Sequence, residues 1–527
     1  MQLLNSIASW WMKKRMHQIE LFIKYPHDVQ QECLRKLIAS AKYTEWGINH
    51  NYENILTTEQ FKREVPIQTY ESLKPFIDRI RKGEQNVLWN TDIKWFAKSS
   101  GTTNDKSKFI PVSEESLNDC HYNGGRDMIS IHCALNPETQ LFTGKNLALA
   151  GSLVTEHRGT YEMQHGDLSA IVINNLPVWA EFFRAPELSI ALMDKWDEKL
   201  EKIAQATMNE NVVSLAGVPS WMLLIMKRVL EESGKRSISE VWPNLEVYFH
   251  GGVSFAPYKE QFKKIFNKED LNYLELYNAS EGFFGIQDQR NSDELLLMLD
   301  YGIYYEFMPI ENLNKENPET VSLDEVKLDT NYALIISTNA GLWRYMVGDT
   351  IKFSSLNPYR FKITGRTKHF MNAFGEEVMV DNADKAIAIA CEKTASQIKE
   401  YSAAPVYMNQ NSSGAHEWII EFEVSPDSMK QFTTELDLAL QSINSDYEAK
   451  RYQNMILKEP IIHAVAKDTF YKWFKVKNKL GGQHKVPRLS NDRKYIEEIL
   501  QLAGISKANA PTDLFVDQQF SPDPPAV

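Results

Sequence analysis

Among 527 residues there are only four cysteines (Cys33, Cys120, Cys133 and Cys391), and none form a C-x-x-C pair. This excludes a cysteine zinc site and a dense disulfide framework, and it suits a reducing cytoplasm. No apolar run reaches the roughly 18 residues of a membrane span. The N-terminus is apolar first (Leu3, Leu4, Ile7, Trp10, Trp11) and basic afterwards (Lys13, Lys14, Arg15), the reverse of a secretory signal. Positive charge is also short. The 58 Lys and Arg against 70 Asp and Glu leave a net charge of −12, which argues against a general nucleic-acid or anionic-membrane binder. Internal repeats, low-complexity tracts, a Walker A loop and a Ser-His-Asp arrangement are all missing. The expectation is a soluble, cytoplasmic protein without nucleic-acid or membrane partners.

What is present is ordinary globular material, 43% apolar and 24% charged, in a chain too long for one core. Residues 1–45 read as helical. After Pro26, the positions Val29, Cys33, Leu34, Leu37, Ile38 and Ala41 repeat at three and four. From 109 to about 360, short apolar runs alternate with helical stretches at 114–134, 187–208 and 219–232. The strand candidates are Leu147–Ala150, Ala170–Ile173, Val212–Ala216, Leu245–His250, Tyr273–Tyr277, Leu295–Leu299, Ile303–Phe307, Ala333–Ser337 and Tyr359–Ile363. Such alternation predicts a large α/β domain with mixed sheets. A shorter series follows: strand 377–380, helix 382–399, strands 405–409 and 417–424, helix 427–443, strand 461–466. That β-α-β-β-α-β order describes a ferredoxin-like α+β unit. The expected boundaries are a large domain at 1–365, a small mobile domain at 366–507, and a loosely ordered, Pro- and Asp-rich tail at 508–527.

Five stretches carry chemistry. Between two strand-like runs, Ser99-Ser100-Gly101-Thr102-Thr103-Asn104-Asp105-Lys106-Ser107-Lys108 holds five hydroxyl side chains, one glycine and two lysines. Small residues let backbone N–H groups approach phosphate oxygens, hydroxyls add donors and Lys108 adds a compact charge; a polar surface hairpin is the alternative. Val247-Tyr248-Phe249-His250-Gly251-Gly252 ends on paired glycines that a flat ligand can lie against, or on an ordinary turn with a packed histidine. In Tyr277-Asn278-Ala279-Ser280-Glu281 a strand delivers an aromatic ring for a base, a hydroxyl, and a carboxylate for Mg²⁺. Tyr345-Met346-Val347-Gly348-Asp349 places one carboxylate after a glycine, where it suits two ribose hydroxyls or simply caps a hairpin. Finally, Lys472 to Lys494 contains eight Lys or Arg and a single acid, Asp492, around a Gly481-Gly482 pair. A glycine-flexed basic loop can carry a lysine onto an anion, or it can be solvated surface.

Taken in order, Ser99-Ser100-Gly101-Thr102-Thr103, Tyr277 to Glu281, Tyr345 to Asp349, Gly365-Arg366 and Lys485-Val486-Pro487-Arg488 resemble the GH3 (auxin-responsive promoter) family. These are acyl acid–amido synthetases of the adenylate-forming, firefly luciferase-like superfamily. The resemblance implies that a carboxylic acid attacks the α-phosphate of Mg·ATP, and that an amine, usually of an amino acid, then displaces AMP. It implies that Ser99, Ser100, Gly101, Thr102, Thr103 and Lys108 hold phosphates. It gives the nucleotide Gly251, Gly252, Tyr277, Ser280, Tyr345 and Arg366, gives Asp349 the ribose and Glu281 the Mg²⁺, and makes Lys485 the catalytic cation. Asn104-Asp105 departs from the glycines common in the family and adds a carboxylate beside the expected phosphates. An acyl-CoA ligase using the same first step, and a non-catalytic nucleotide-binding protein, remain open alternatives.

Overall fold

A computed structural model describes residues 2–100, 107–158, 161–253, 255, 258–268, 270–313, 315, 317–367, 370–408, 413–477 and 486–505. They divide into two compact units. The larger holds the described residues up to 367 except 258–261, and the smaller holds 258–261 and those from 370 onward.

In the larger unit the described residues form an eleven-stranded sheet. From one edge its order is Ile303–Pro309, Asn331–Thr338, Tyr345–Leu356, Tyr359–Arg366, Leu295–Leu297, Gly282–Ile286, Asn272–Ala279, Val247–Gly251, Val212–Gly217, Lys145–Ala148 and Arg184–Ala185. The sheet changes character at Asn272–Ala279. Toward Arg184–Ala185 every neighbour is parallel, and toward Ile303–Pro309 every neighbour is antiparallel. Parallel pairing needs crossovers, and the helices Trp196–Thr207, Pro219–Ser233 and Lys259–Phe266 supply them. Strands covered on both faces read as continuous apolar runs, as Val212, Val213, Leu215, Val247, Tyr248 and Phe249 do; all six are buried.

A second sheet has the order Ser107–Val112, Trp95–Ser100, Tyr161–Gly166, Leu153–Arg158. Its hairpin sets Ser99 opposite Lys108 and Ser100 opposite Ser107, so Ser99 and Lys108 share the face of buried Ala97 and Ile110. The N-terminal helices are locked on by Arg15, which donates to buried Asp127 at 2.8 Å and to Asp300 at 2.7 Å, while Tyr301 donates to the same Asp127. The expected strand Ala170–Ile173 is instead part of the helix Leu168–Asn174. Its four apolar residues fit either element, and tertiary packing chose the helix.

The smaller unit has a sheet of Gln397–Val406, Ala415–Val424 and Ile461–Val465, antiparallel then parallel, with helices Val380–Lys393 and Met429–Ile443. Three local expectations need correction. The helix expected over 382–399 stops at Lys393, because Ala395 adopts a left-handed φ of 49° and the chain then extends. The strand expected at 405–409 begins much earlier, at Gln397. Val378–Met379 pairs with Phe370–Met371 in a separate ribbon and does not join the three strands. Val486 is buried beside Phe470, Trp473 and Ile499, and Leu489 bridges Ala403 as an added edge. No described helix is long and apolar enough to cross a membrane.

Candidate active site

The site is built where the sheet turns antiparallel. Asp349 lies in Tyr345–Leu356 directly opposite Arg366 in Tyr359–Arg366. Gly348, at φ 101°, is in a conformation that favours glycine, and its carbonyl accepts the Thr367 N–H at 2.8 Å. The Asp349 carboxylate accepts from Arg366 Nε through Oδ1 and from the Tyr277 hydroxyl through Oδ2, each at 2.6 Å. An ionised carboxylate has about four acceptor positions, so acceptor capacity remains for a pair of hydroxyls. Tyr277 is only 6% exposed, packed on Phe284 and Phe361 at ring separations of 4.9 and 6.0 Å. Burial, with the Asp349 charge beside it, holds its phenol well above the usual tyrosine range. The ring expected to contact a base is packed among these aromatics, and its hydroxyl orients Asp349.

Glu281 sits in the turn between Asn272–Ala279 and Gly282–Ile286, with Ser280 beside it half-exposed. Its Oε1 accepts from the Tyr345 hydroxyl at 3.4 Å. Tyr345 is buried, and burial first, then the Glu281 charge, raises its phenol. In the adjacent strand, Gly251 faces Leu276 so closely that a Cβ would stand 2.4 Å from the Leu276 carbonyl oxygen. Gly252 follows at φ 81°. His250 is a packed residue: it stacks on Phe255 at 4.2 Å, and burial lowers its pKa to about 3.

Two residues that no motif flagged tie this cluster to the hairpin. Gln68 donates its N–H to the Arg344 carbonyl and accepts the Met346 N–H, both at 2.9 Å, so it clasps Tyr345 from either side. Two positions on, the Tyr70 hydroxyl accepts the N–H of Phe109, the neighbour of Lys108, at 3.0 Å. Ser99, Lys108, Glu281 and Asp349 thus belong to one unit, joined through short bonded steps. Gly101, Thr102, Thr103 and Lys485 lie outside the described residues, as does the Ser100 side chain.

Among the described residues no three His, Cys, Asp or Glu side chains gather as a metal site. Glu281, as a single carboxylate, fits magnesium only in the mode where phosphate oxygens and water supply the other ligands.

Family models match three consecutive regions: the GH3 N-terminal domain over 15–271, the GH3 central domain over 296–366 and the GH3 C-terminal domain over 381–494. The chain belongs to the GH3 family. Among curated GH3 relatives, the indole-3-acetic acid-amido synthetase GH3.4 of Arabidopsis thaliana is 22% identical, over 90% of this chain and 91% of its own. The 4-substituted benzoates-glutamate ligase GH3.12 of Arabidopsis thaliana is also 22% identical, over 91% and 95%. Of solved structures, a GH3.15 acyl acid amido synthetase superposes with TM-score 0.60 at 17% identity, covering 93% of this chain and 96% of that one. The GH3 fold, a large mixed sheet with a smaller α+β unit, is therefore this chain's fold.

Proposed function

We propose that this protein joins a carboxylic acid to the amine of an amino acid at the expense of ATP, through an acyl-adenylate. One observation carries the reading: Asp349 and Glu281 are each held by a buried tyrosine, Tyr277 and Tyr345, within one unit of a GH3 chain. That is what a nucleotide site needs, carboxylates whose direction is fixed before the ligand arrives. The 22%-identical relatives named for acid–amine ligation support the same chemistry.

In the first step a carboxylate oxygen of the acid attacks the α-phosphorus, and the bond to pyrophosphate breaks. In the second, the amine nitrogen attacks the acyl carbonyl, AMP leaves, and the amine gives up a proton. The first step brings two anions together and the second needs the amine aligned on the acyl carbon, so positioning and charge neutralisation do most of the work. Asp349, aimed by Tyr277 and Arg366, takes the ribose hydroxyls. Ser99, Lys108 and the loop between them take phosphates, and Gly251 and Gly252 leave room for the ligand against bare backbone. Glu281 holds Mg²⁺, which neutralises phosphate charge when bound. Lys485, in a mobile small domain beginning near 366, bridges the acyl carboxylate and the α-phosphate, then withdraws. The four unpaired cysteines suit a cytoplasmic setting.

Acid-dependent exchange of labelled pyrophosphate into ATP, over a panel of carboxylic acids, tests the first step. Mass spectrometry with mixed amino acids, with and without coenzyme A, identifies the acceptor. No exchange with any acid overturns the reading. Lys485→Ala should slow exchange by at least about 100-fold, the scale of losing a positioned cation, while ATP still binds.

A further inference from the structure

Arg344 stands next to Tyr345, and its side chain takes no part in the site described above. It is 5% exposed and is one of the non-glycine residues with a left-handed φ, at 42°. For a long side chain that conformation is costly, and it persists where the surroundings over-determine it. Here they do. All five guanidinium N–H groups are used: Nε and Nη2 donate to the two oxygens of Glu306 at 2.9 and 2.8 Å, and Nη1 donates to the carbonyls of Lys62 and Val65 at 2.8 and 2.7 Å. Nη2 also donates to Thr320 Oγ1 at 3.0 Å. Glu306 is itself 1% exposed. A bidentate pair with every donor satisfied is the arrangement in which a buried guanidinium fixes geometry.

The fixed geometry has two ends. The backbone of Arg344 accepts the Gln68 N–H, while its side chain grips residues 62 and 65 just upstream. The segment 62–70 is thus held along the start of Tyr345–Leu356, with Tyr345 directed at Glu281 and Tyr70 directed at the backbone of the Lys108 hairpin. We propose that Arg344 is a positioning residue that sets Glu281, through Tyr345, and the Lys108 hairpin, through Tyr70, at one spacing for the metal-bound phosphates. This rests on the proposed role of Glu281.

The test measures binding of a non-hydrolysable ATP analogue by calorimetry, with magnesium and with chelator. The readout is the gain in affinity that magnesium brings. Arg344→Lys keeps the charge but cannot make five bonds. It should cut that gain by about tenfold, while the affinity in chelator changes little. Tyr345→Phe should cut the gain too, and the double variant should lose less than the sum of the two, since both act through one path. Thr320→Val, which removes the hydroxyl's two bonds, one from Arg344 and one to Glu306, should move the gain in the same direction by less and keeps the test open if Arg344→Lys does not fold. An unchanged gain in Arg344→Lys, or in Thr320→Val when only that variant folds, overturns the proposal; so do additive losses in the double variant. A wild-type protein that binds no analogue, or Glu281→Gln with an undiminished gain, instead overturns the function on which it rests.

Discussion

Asp349 is the residue on which nucleotide binding should turn, because both its oxygens are already aimed. In Asp349→Asn the Arg366 guanidinium loses its counter-charge and one acceptor becomes a donor facing the Tyr277 hydroxyl. Losing charge-assisted bonds of this kind should weaken apparent ATP affinity about 10- to 100-fold, read from the KM in pyrophosphate exchange. Glu275 behaves differently. Burial and, secondarily, Asp293 raise its carboxyl to about 7 from an ordinary 4.5. Between those values the native state binds more protons than the unfolded chain, so stability is lost as pH rises through the window. Glu275→Gln should therefore raise the melting temperature at pH 8, by an amount worth about 2–3 kcal/mol, and the difference should vanish below pH 4.5. A constant offset across pH would mean that the gain is packing and not charge.

At the scale of elements, the strand Val247–Gly251 and its neighbour Asn272–Ala279 meet so closely that side-chain volume itself is the constraint. Gly251→Ala must push a methyl into the Leu276 carbonyl, so the strand end has to shift. Exchange activity should fall by about 100-fold, the usual cost of an ångström-scale displacement, with circular dichroism nearly unchanged. The same pair shows what a sequence can announce. Long apolar strands such as Val212–Gly217 and Val247–Gly251 announce themselves, and so do Gly348 and Gly251-Gly252, because backbone conformation and close approach restrict residue choice. Ala170–Ile173 does not, since four apolar residues suit a helix or a strand. Nor do Leu153–Arg158 and Tyr161–Gly166, whose mixed polar pattern has no clear period. The Tyr277–Asp349 bond spans 72 positions, and Tyr70's link to Phe109 spans 39; neither leaves a local mark. That is why the sequence shows Tyr277 as an aromatic ring for a base and gives no sign of its hold on the Asp349 carboxylate.

For the molecule as a whole, stability depends on a few buried charges that join distant parts of the chain. Arg15 is the clearest: from the turn between two N-terminal helices it reaches Asp127, which is fully buried, and Asp300. Arg15→Ala leaves a buried carboxylate with the Tyr301 hydroxyl and, at 4.0 Å, the Arg126 guanidinium, which should cost about 3 kcal/mol in urea unfolding. Adding Asp127→Asn should recover part of that loss, because the unpaired charge goes with it. The change from parallel to antiparallel pairing at Asn272–Ala279 also divides the candidate site. Asp349, Arg366, Tyr277 and Glu281 sit in or beside antiparallel hairpins, where a slip of one residue turns every side chain to the other face, whereas Gly251 and Gly252 end a parallel strand that serves by bare backbone and has no side chain to misplace.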